Sequence, residues 1–163
     1  MKIGIIGLGL IGGSFALAAK KYINGVSLYG QDYNPENLTE ALQLGILDYS
    51  LEVQDYAMMD IIVLAIPVDA SLGIGISILD QINDNALLMD VGSTKAAICK
   101  KFELHPKRNQ FLATHPIAGT EFSGPSAAFA ELFVDQTQIL CETNKTRPDL
   151  LEWAVHWFRN MNM

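Results

Sequence analysis

The chain has 163 residues, half of them apolar and 18% charged, with a net charge of −7. That length and balance suit one globular domain with its own core, and they exclude a disordered tail, a collagen-like rod and a coiled coil. The acidic surplus has the wrong sign for gripping a polyphosphate backbone, so nucleic acid is not an expected partner.

Short apolar runs alternate with segments of helical period, a rhythm that predicts parallel strands buried on both faces and covered by helices. The first strand is predicted over Ile3 to Ile6, directly before Gly7-Leu8-Gly9-Leu10-Ile11-Gly12. Ile11, Phe15, Ala18 and Tyr22 then fall on one helical face. A second strand is predicted over Val26 to Tyr29. Asn34-Pro35 is a helix start, with Asn as cap and Pro at the first helical position, and Gly45 is its stop. Ile61 to Ile66 reads as a strand, followed by a helix over Asp69 to Ile82 in spite of Gly73 and Gly75. Ala86 to Met89 is the next strand, and Ser93 or Thr94 opens a helix to about Leu104. Strands are predicted at Gln110 to Ala113 and Thr137 to Leu140, with a helix from Pro125 to about Phe133 between them. The last helix is marked by Thr146 and Pro148, and Leu150, Trp153, Ala154, Trp157 and Phe158 form its apolar stripe. Right-handed crossovers assemble these elements into a doubly wound, mostly parallel α/β sheet of Rossmann type, with a ligand crevice at the carboxyl ends of its strands. Residues 1–163 are read as one dinucleotide-binding domain.

No apolar run approaches the roughly 20 residues of a membrane span. Met1-Lys2 leads straight into the first strand without the pattern of a signal peptide, so a cytoplasmic protein is expected. Cys99 and Cys141 form no Cys-x-x-Cys pair and no Cys/His cluster of metal-ligand spacing, which predicts free thiols and no metal.

The glycine string gains meaning from its place between a strand and a helix. Gly7 permits the tight turn, Gly9 lets a pyrophosphate approach the backbone, and Gly12 allows close helix packing, while the N–H groups at Leu10 and Ile11 face the anion. Asp32 stands 20 residues past Gly12, where a carboxylate can hold a ribose 2′-hydroxyl. Pro67, just past the Ile61 to Ile66 run, completes the expected cofactor contacts. Between Tyr22 and Thr94 there are eleven acidic residues and no Lys or Arg. A 2′-phosphate needs a cation beside it, so the cofactor is expected to be NAD and not NADP.

Two further segments follow strand ends and face the same crevice: Asp90-Val91-Gly92-Ser93-Thr94-Lys95, and Thr114-His115-Pro116-Ile117-Ala118-Gly119-Thr120-Glu121. A histidine there, with an ordinary pKa of about 6.5, can take a proton from a substrate hydroxyl while hydride leaves the same carbon. Each position also has a plain structural reading. Ser93 could be a helix cap, His115 a turn histidine, and Lys95 a solvated first-turn lysine. His105, His156, Trp153 and Trp157 are assigned to surface or packing.

The segments GLGLIGGS, DVGSTK and HPIAGTEFSGPSAA together resemble the nucleotide-binding half of the prephenate dehydrogenase family, which includes arogenate dehydrogenases. The third segment is the most specific of the three. The resemblance implies NAD-dependent oxidation of prephenate to 4-hydroxyphenylpyruvate with loss of CO₂, on the route to tyrosine. It makes His115 the proton acceptor and Ser93 its neighbour, bridging imidazole and nicotinamide. Thr120 and Glu121 would line the substrate side. A dicarboxylate substrate needs cations, and the only one at these motifs is Lys95, where the sequence departs from the family. The family has a C-terminal helical domain that completes the substrate site and forms a homodimer. That domain is absent from this chain, which is expected to bind NAD yet turn over poorly. Arogenate as substrate, a β-hydroxyacid-type dehydrogenase with a lysine base, a non-catalytic NAD(H)-binding module and a methyltransferase are the competing readings.

Overall fold

The computed structural model describes all 163 residues. Its strands are β1 (Lys2–Ile6), β2 (Ser27–Gln31), β3 (Tyr49–Ser50), β4 (Ile61–Leu64), β5 (Leu87–Asp90), β6 (Phe111–Pro116) and β7 (Gln138–Cys141). Its helices are α1 (Leu10–Tyr22), α2 (Pro35–Gln43), α3 (Val68–Gln81), α4 (Ala96–Phe102) and α5 (Pro148–Asn160). One seven-stranded sheet runs in the order β3-β2-β1-β4-β5-β6-β7, parallel except for β7, which is antiparallel to β6. The chain therefore turns in opposite directions on leaving β1 and β4, and the crevice of a doubly wound sheet opens where the order reverses.

Both faces of the sheet are buried, as the unbroken apolar strands require. Ile3, Ile5, Leu28, Val63, Met89 and Leu112 point to the side covered by α1 and α5. Ile62, Leu64, Leu88 and Phe111 point to the side covered by α3 and α4. On the first side Phe15 meets Phe133 at 4.4 Å and Trp157 at 5.6 Å between ring centroids, tying α1, the 128–134 segment and α5 into one aromatic cluster. Trp157 is buried and Trp153 packs on the same core, so both belong to the stripe. His156 is exposed, and His105 is held by Asp80 and by the Lys107 N–H. Burial pushes the Cys99 thiol up to about 11, the behaviour of an inert core cysteine. No helix is long and apolar enough to cross a membrane.

Local signals set α2 as expected: the Asn34 side chain accepts from the Glu36 N–H at 3.0 Å, Pro35 is in the first turn, and Gly45 follows with φ +68°. The predicted helix from Pro125 to Phe133 does not form. Only a short 3₁₀ turn, Pro125–Ala127, is helical, because the Phe129 N–H is taken by the Ser14 hydroxyl of α1 at 3.1 Å. There Ala128 sits so close to Gly13 that an added Cβ would come within 2.7 Å of it, and a regular helix could not follow this path. The 3₁₀ turn Val53–Met58 and the two-residue β3 carry patterns too short to read from the sequence. Strand β6 runs three residues beyond the expected Ala113, since β7 pairs with it along Ala113 to Pro116.

Phe133→Ala empties the centre of the aromatic cluster. We expect a loss of roughly 3–5 kcal/mol, measured by urea denaturation.

Candidate active site

The turn from β1 into α1 is built as its glycines require. Gly7 has φ +93°, and a side chain there would collide with the backbone carbonyl of Ala65 at the end of β4. A side chain at Gly12 would collide with the Gly7 carbonyl, whereas Gly9 borders open space. No side chain caps α1 and no acidic residue occupies its first turn, so the N–H groups around Leu10 and Ile11 present a positive helix end to that space.

Asp32 lies just past β2. Its Oδ2 accepts from the Leu8 N–H at 2.6 Å, and its Oδ1 accepts from the Asn34 N–H at 2.8 Å and the Asn37 amide at 3.2 Å. The carboxylate thus clamps the glycine turn, a task its spacing alone did not announce. A carboxylate offers about four acceptor positions, and three are used here. Between this turn and α3 lies a cleft of about 480 Å³, walled by Ile6, Ile66, Pro67, Ala70 and Ile74, with Gln31, Asp32 and Tyr33 at its rim and floor. No lysine or arginine lines it.

Ser93 follows β5 and His115 lies near the end of β6, adjacent strands that pair with Asp90 opposite Ala113. Ser93 is exposed and is not a cap: α4 begins at Ala96 with Lys95 in the cap position. His115 stands inside β6, opposite Ile139, and not in the loop expected after the strand. Its Nδ1 is buried without a partner, and the residue lines an open pocket of about 400 Å³ with Pro116 to Gly119 and Gln136. No hydrogen bond joins Ser93 to His115. Thr120 and Glu121 line the neighbouring shallow pocket with Phe122, Ser123, Ser126 and Phe129.

Lys95 differs most from its expected role. Its ammonium is not held out to solvent but forms an ion pair with Asp90 and donates to the Thr114 carbonyl at 2.7 Å. The Asp90 side chain is 1% exposed and that of Lys95 12%. Asp90 also accepts from the Gly92 N–H, and the Thr114 hydroxyl donates to the Asp90 carbonyl at 2.9 Å. These bonds cross-tie the two strand ends that carry Ser93 and His115. Burial pushes the Asp90 carboxyl up, opposed by Lys95, by the Gly92 N–H and by His115.

A sequence-family comparison matches residues 15–163 to the nucleotide-binding domain of prephenate dehydrogenase. The chain belongs to that family. Among its relatives are the cyclohexadienyl dehydrogenase of Zymomonas mobilis, 36% identical over 95% of this chain and 54% of that one, and the prephenate dehydrogenase of Bacillus subtilis, 33% identical over 97% and 44%. The crystal structure of the Aquifex aeolicus prephenate dehydrogenase in complex with hydroxyphenyl propionate and NAD+ superposes with a TM-score of 0.89, at 29% identity, over 99% of this chain and 57% of that one. Synechocystis arogenate dehydrogenase gives 0.88 at 28% identity, over 100% and 58%. The chain spans about half the length of these proteins.

Lys95→Met strands a buried carboxylate, and we expect it to destabilise the fold by roughly 3–5 kcal/mol at neutral pH. With its carboxyl raised above the unfolded value, Asp90 suits the fold best when protonated, so that stability is present at low pH and is lost as pH rises through the folded value. The Lys95→Met penalty therefore shrinks as pH falls from neutral toward about 4, as urea melts at the two ends will report.

Proposed function

We propose that residues 1–163 form the cofactor-binding half of an NAD-dependent dehydrogenase that converts prephenate to 4-hydroxyphenylpyruvate with loss of CO₂. The observation that carries this reading is that two features share the carboxyl ends of one set of parallel strands. The cleft lies at the β1, β2 and β4 ends, and an imidazole and a serine lie at the β6 and β5 ends.

The residues present fit the cofactor. The uncapped α1 terminus at Leu10 and Ile11 suits a diphosphate, with Gly9 leaving room for its approach. The remaining acceptor position of Asp32 suits a ribose hydroxyl, and Pro67 walls the cleft. When bound, NAD supplies the hydride acceptor. His115 Nε2 takes the proton of the ring hydroxyl as general base, and Ser93 orients the reacting groups beside it. Thr120 and Glu121 face the substrate side of the loop. Because departure of hydride and carboxylate leaves an aromatic ring, one base is enough and positioning supplies most of the rest.

Lys95 is committed to Asp90 and Thr114 and is not free to meet the substrate carboxylates, which need other cations. We assign them, together with the homodimer contacts, to a second domain of the intact protein. A second reading, arogenate as substrate, is favoured by the equally close match to Synechocystis arogenate dehydrogenase. Rates of the intact enzyme with prephenate and with arogenate separate the two.

In the intact enzyme His115→Asn is expected to lower kcat by about 10²–10⁴-fold while leaving NADH affinity within twofold, as stopped-flow and fluorescence titration will show. Unchanged turnover excludes His115 as the base. For the cofactor, we expect NADPH to bind at least about tenfold more weakly than NADH, a difference of about 1.4 kcal/mol. Asp32→Ala narrows that gap, because it removes the charge that repels a 2′-phosphate.

A further inference from the structure

We propose that Gln31, oriented by Tyr56, is the residue that reads the purine ring of the nucleotide. This assignment rests on the dinucleotide-binding reading above and adds a recognition role at the far end of the same cleft.

Gln31 closes β2 immediately before Asp32 and lines the cleft between β2 and α3. Its Oε1 accepts a hydrogen bond of 2.9 Å from the Tyr56 hydroxyl. Tyr56 is itself buried in the core on the α3 side, carried there by the 3₁₀ turn Val53–Met58. Burial pushes the phenol further up from its ordinary range, so at neutral pH it keeps its proton and remains a donor.

With Oε1 engaged by Tyr56, the two N–H donors of Nε2 remain for other partners. Nε2 has no partner within the protein. The aliphatic lining of the cleft, Ile6, Ile66, Ala70 and Ile74, offers it no side-chain acceptor, and Asp32 is engaged with the N–H groups of Leu8, Asn34 and Asn37. A flat ring entering this cleft shields Nε2 from solvent. Unless the ring returns an acceptor, that donor is left buried and unpaired. Purine ring nitrogens supply such an acceptor in the plane of the ring, while the aliphatic walls pack against its faces. Asp32 on the ribose and Gln31 on the base would then divide recognition of the adenosine between neighbouring residues at the end of one strand.

The test uses ADP-ribose, which carries the purine, and nicotinamide mononucleotide, which lacks it, titrated by calorimetry or NMR into wild type, Gln31→Leu and Tyr56→Phe. We expect Gln31→Leu to weaken ADP-ribose by about 5–20-fold and Tyr56→Phe by about 2–5-fold, with mononucleotide affinity and melting temperature unchanged. ADP-ribose affinity of Gln31→Leu within twofold of wild type overturns the assignment. So does an equal loss for both ligands, which marks the pair as a structural tie. Absence of ADP-ribose binding by the wild-type chain overturns the underlying nucleotide reading, and the assignment with it.

Discussion

The contact between the β1–α1 turn and the end of β4 is the constraint from which the site follows. Gly7 lies against the Ala65 carbonyl, and Gly12 lies against the Gly7 carbonyl, with no room for a side chain at either place. Any larger residue would push β4 from β1 or α1 from the sheet, at the point where the strand order reverses. Asp32 secures the same turn from the other flank by accepting the Leu8 N–H. Three backbone segments are thereby locked around a positive helix end before any ligand arrives, which is the preorganisation that anion binding rewards.

Charge is distributed to match this division of labour. The stretch from Tyr22 to Thr94 holds no cation, so the cleft it builds is apolar, apart from a few polar groups at its floor and rim. The first cation after that stretch, Lys95, is consumed internally. A buried carboxylate at Asp90 demands it, and the desolvation both groups undergo is offset only because each is paired and hydrogen-bonded. What the pair provides is registry: it fixes the β5 and β6 ends, and therefore the backbone that carries Ser93 and His115. Lys95 is therefore spent on holding the two strand ends in place and does not stand free for a ligand.

Much of this was legible in the residues themselves. The glycine turn, the acid 20 residues beyond it and the apolar strand runs are short-range patterns, and each specifies its conformation through sterics or burial within a few positions. The Asn34-Pro35 start of α2 is legible for the same reason. Where the reading departed from the fold, a distant partner had intervened. The Ser14 hydroxyl took the Phe129 N–H and cancelled a helix that the Pro125 signal favoured. The antiparallel edge strand β7 drew His115 into β6.

The chain alone thus settled the fold class, the place of the glycine turn and the neighbourhood of Ser93 and His115, because sheet order and strand ends follow from periodicity, punctuation and crossover handedness. Whether a given polar group stands free is another matter. Lys95 bound to Asp90, Asp32 bound to Leu8 and Gln31 bound to Tyr56 are pairings across the fold, 5, 24 and 25 residues apart in sequence. Spacing says that such groups exist, but only the packed arrangement decides which donor meets which acceptor, and so which remain for a ligand.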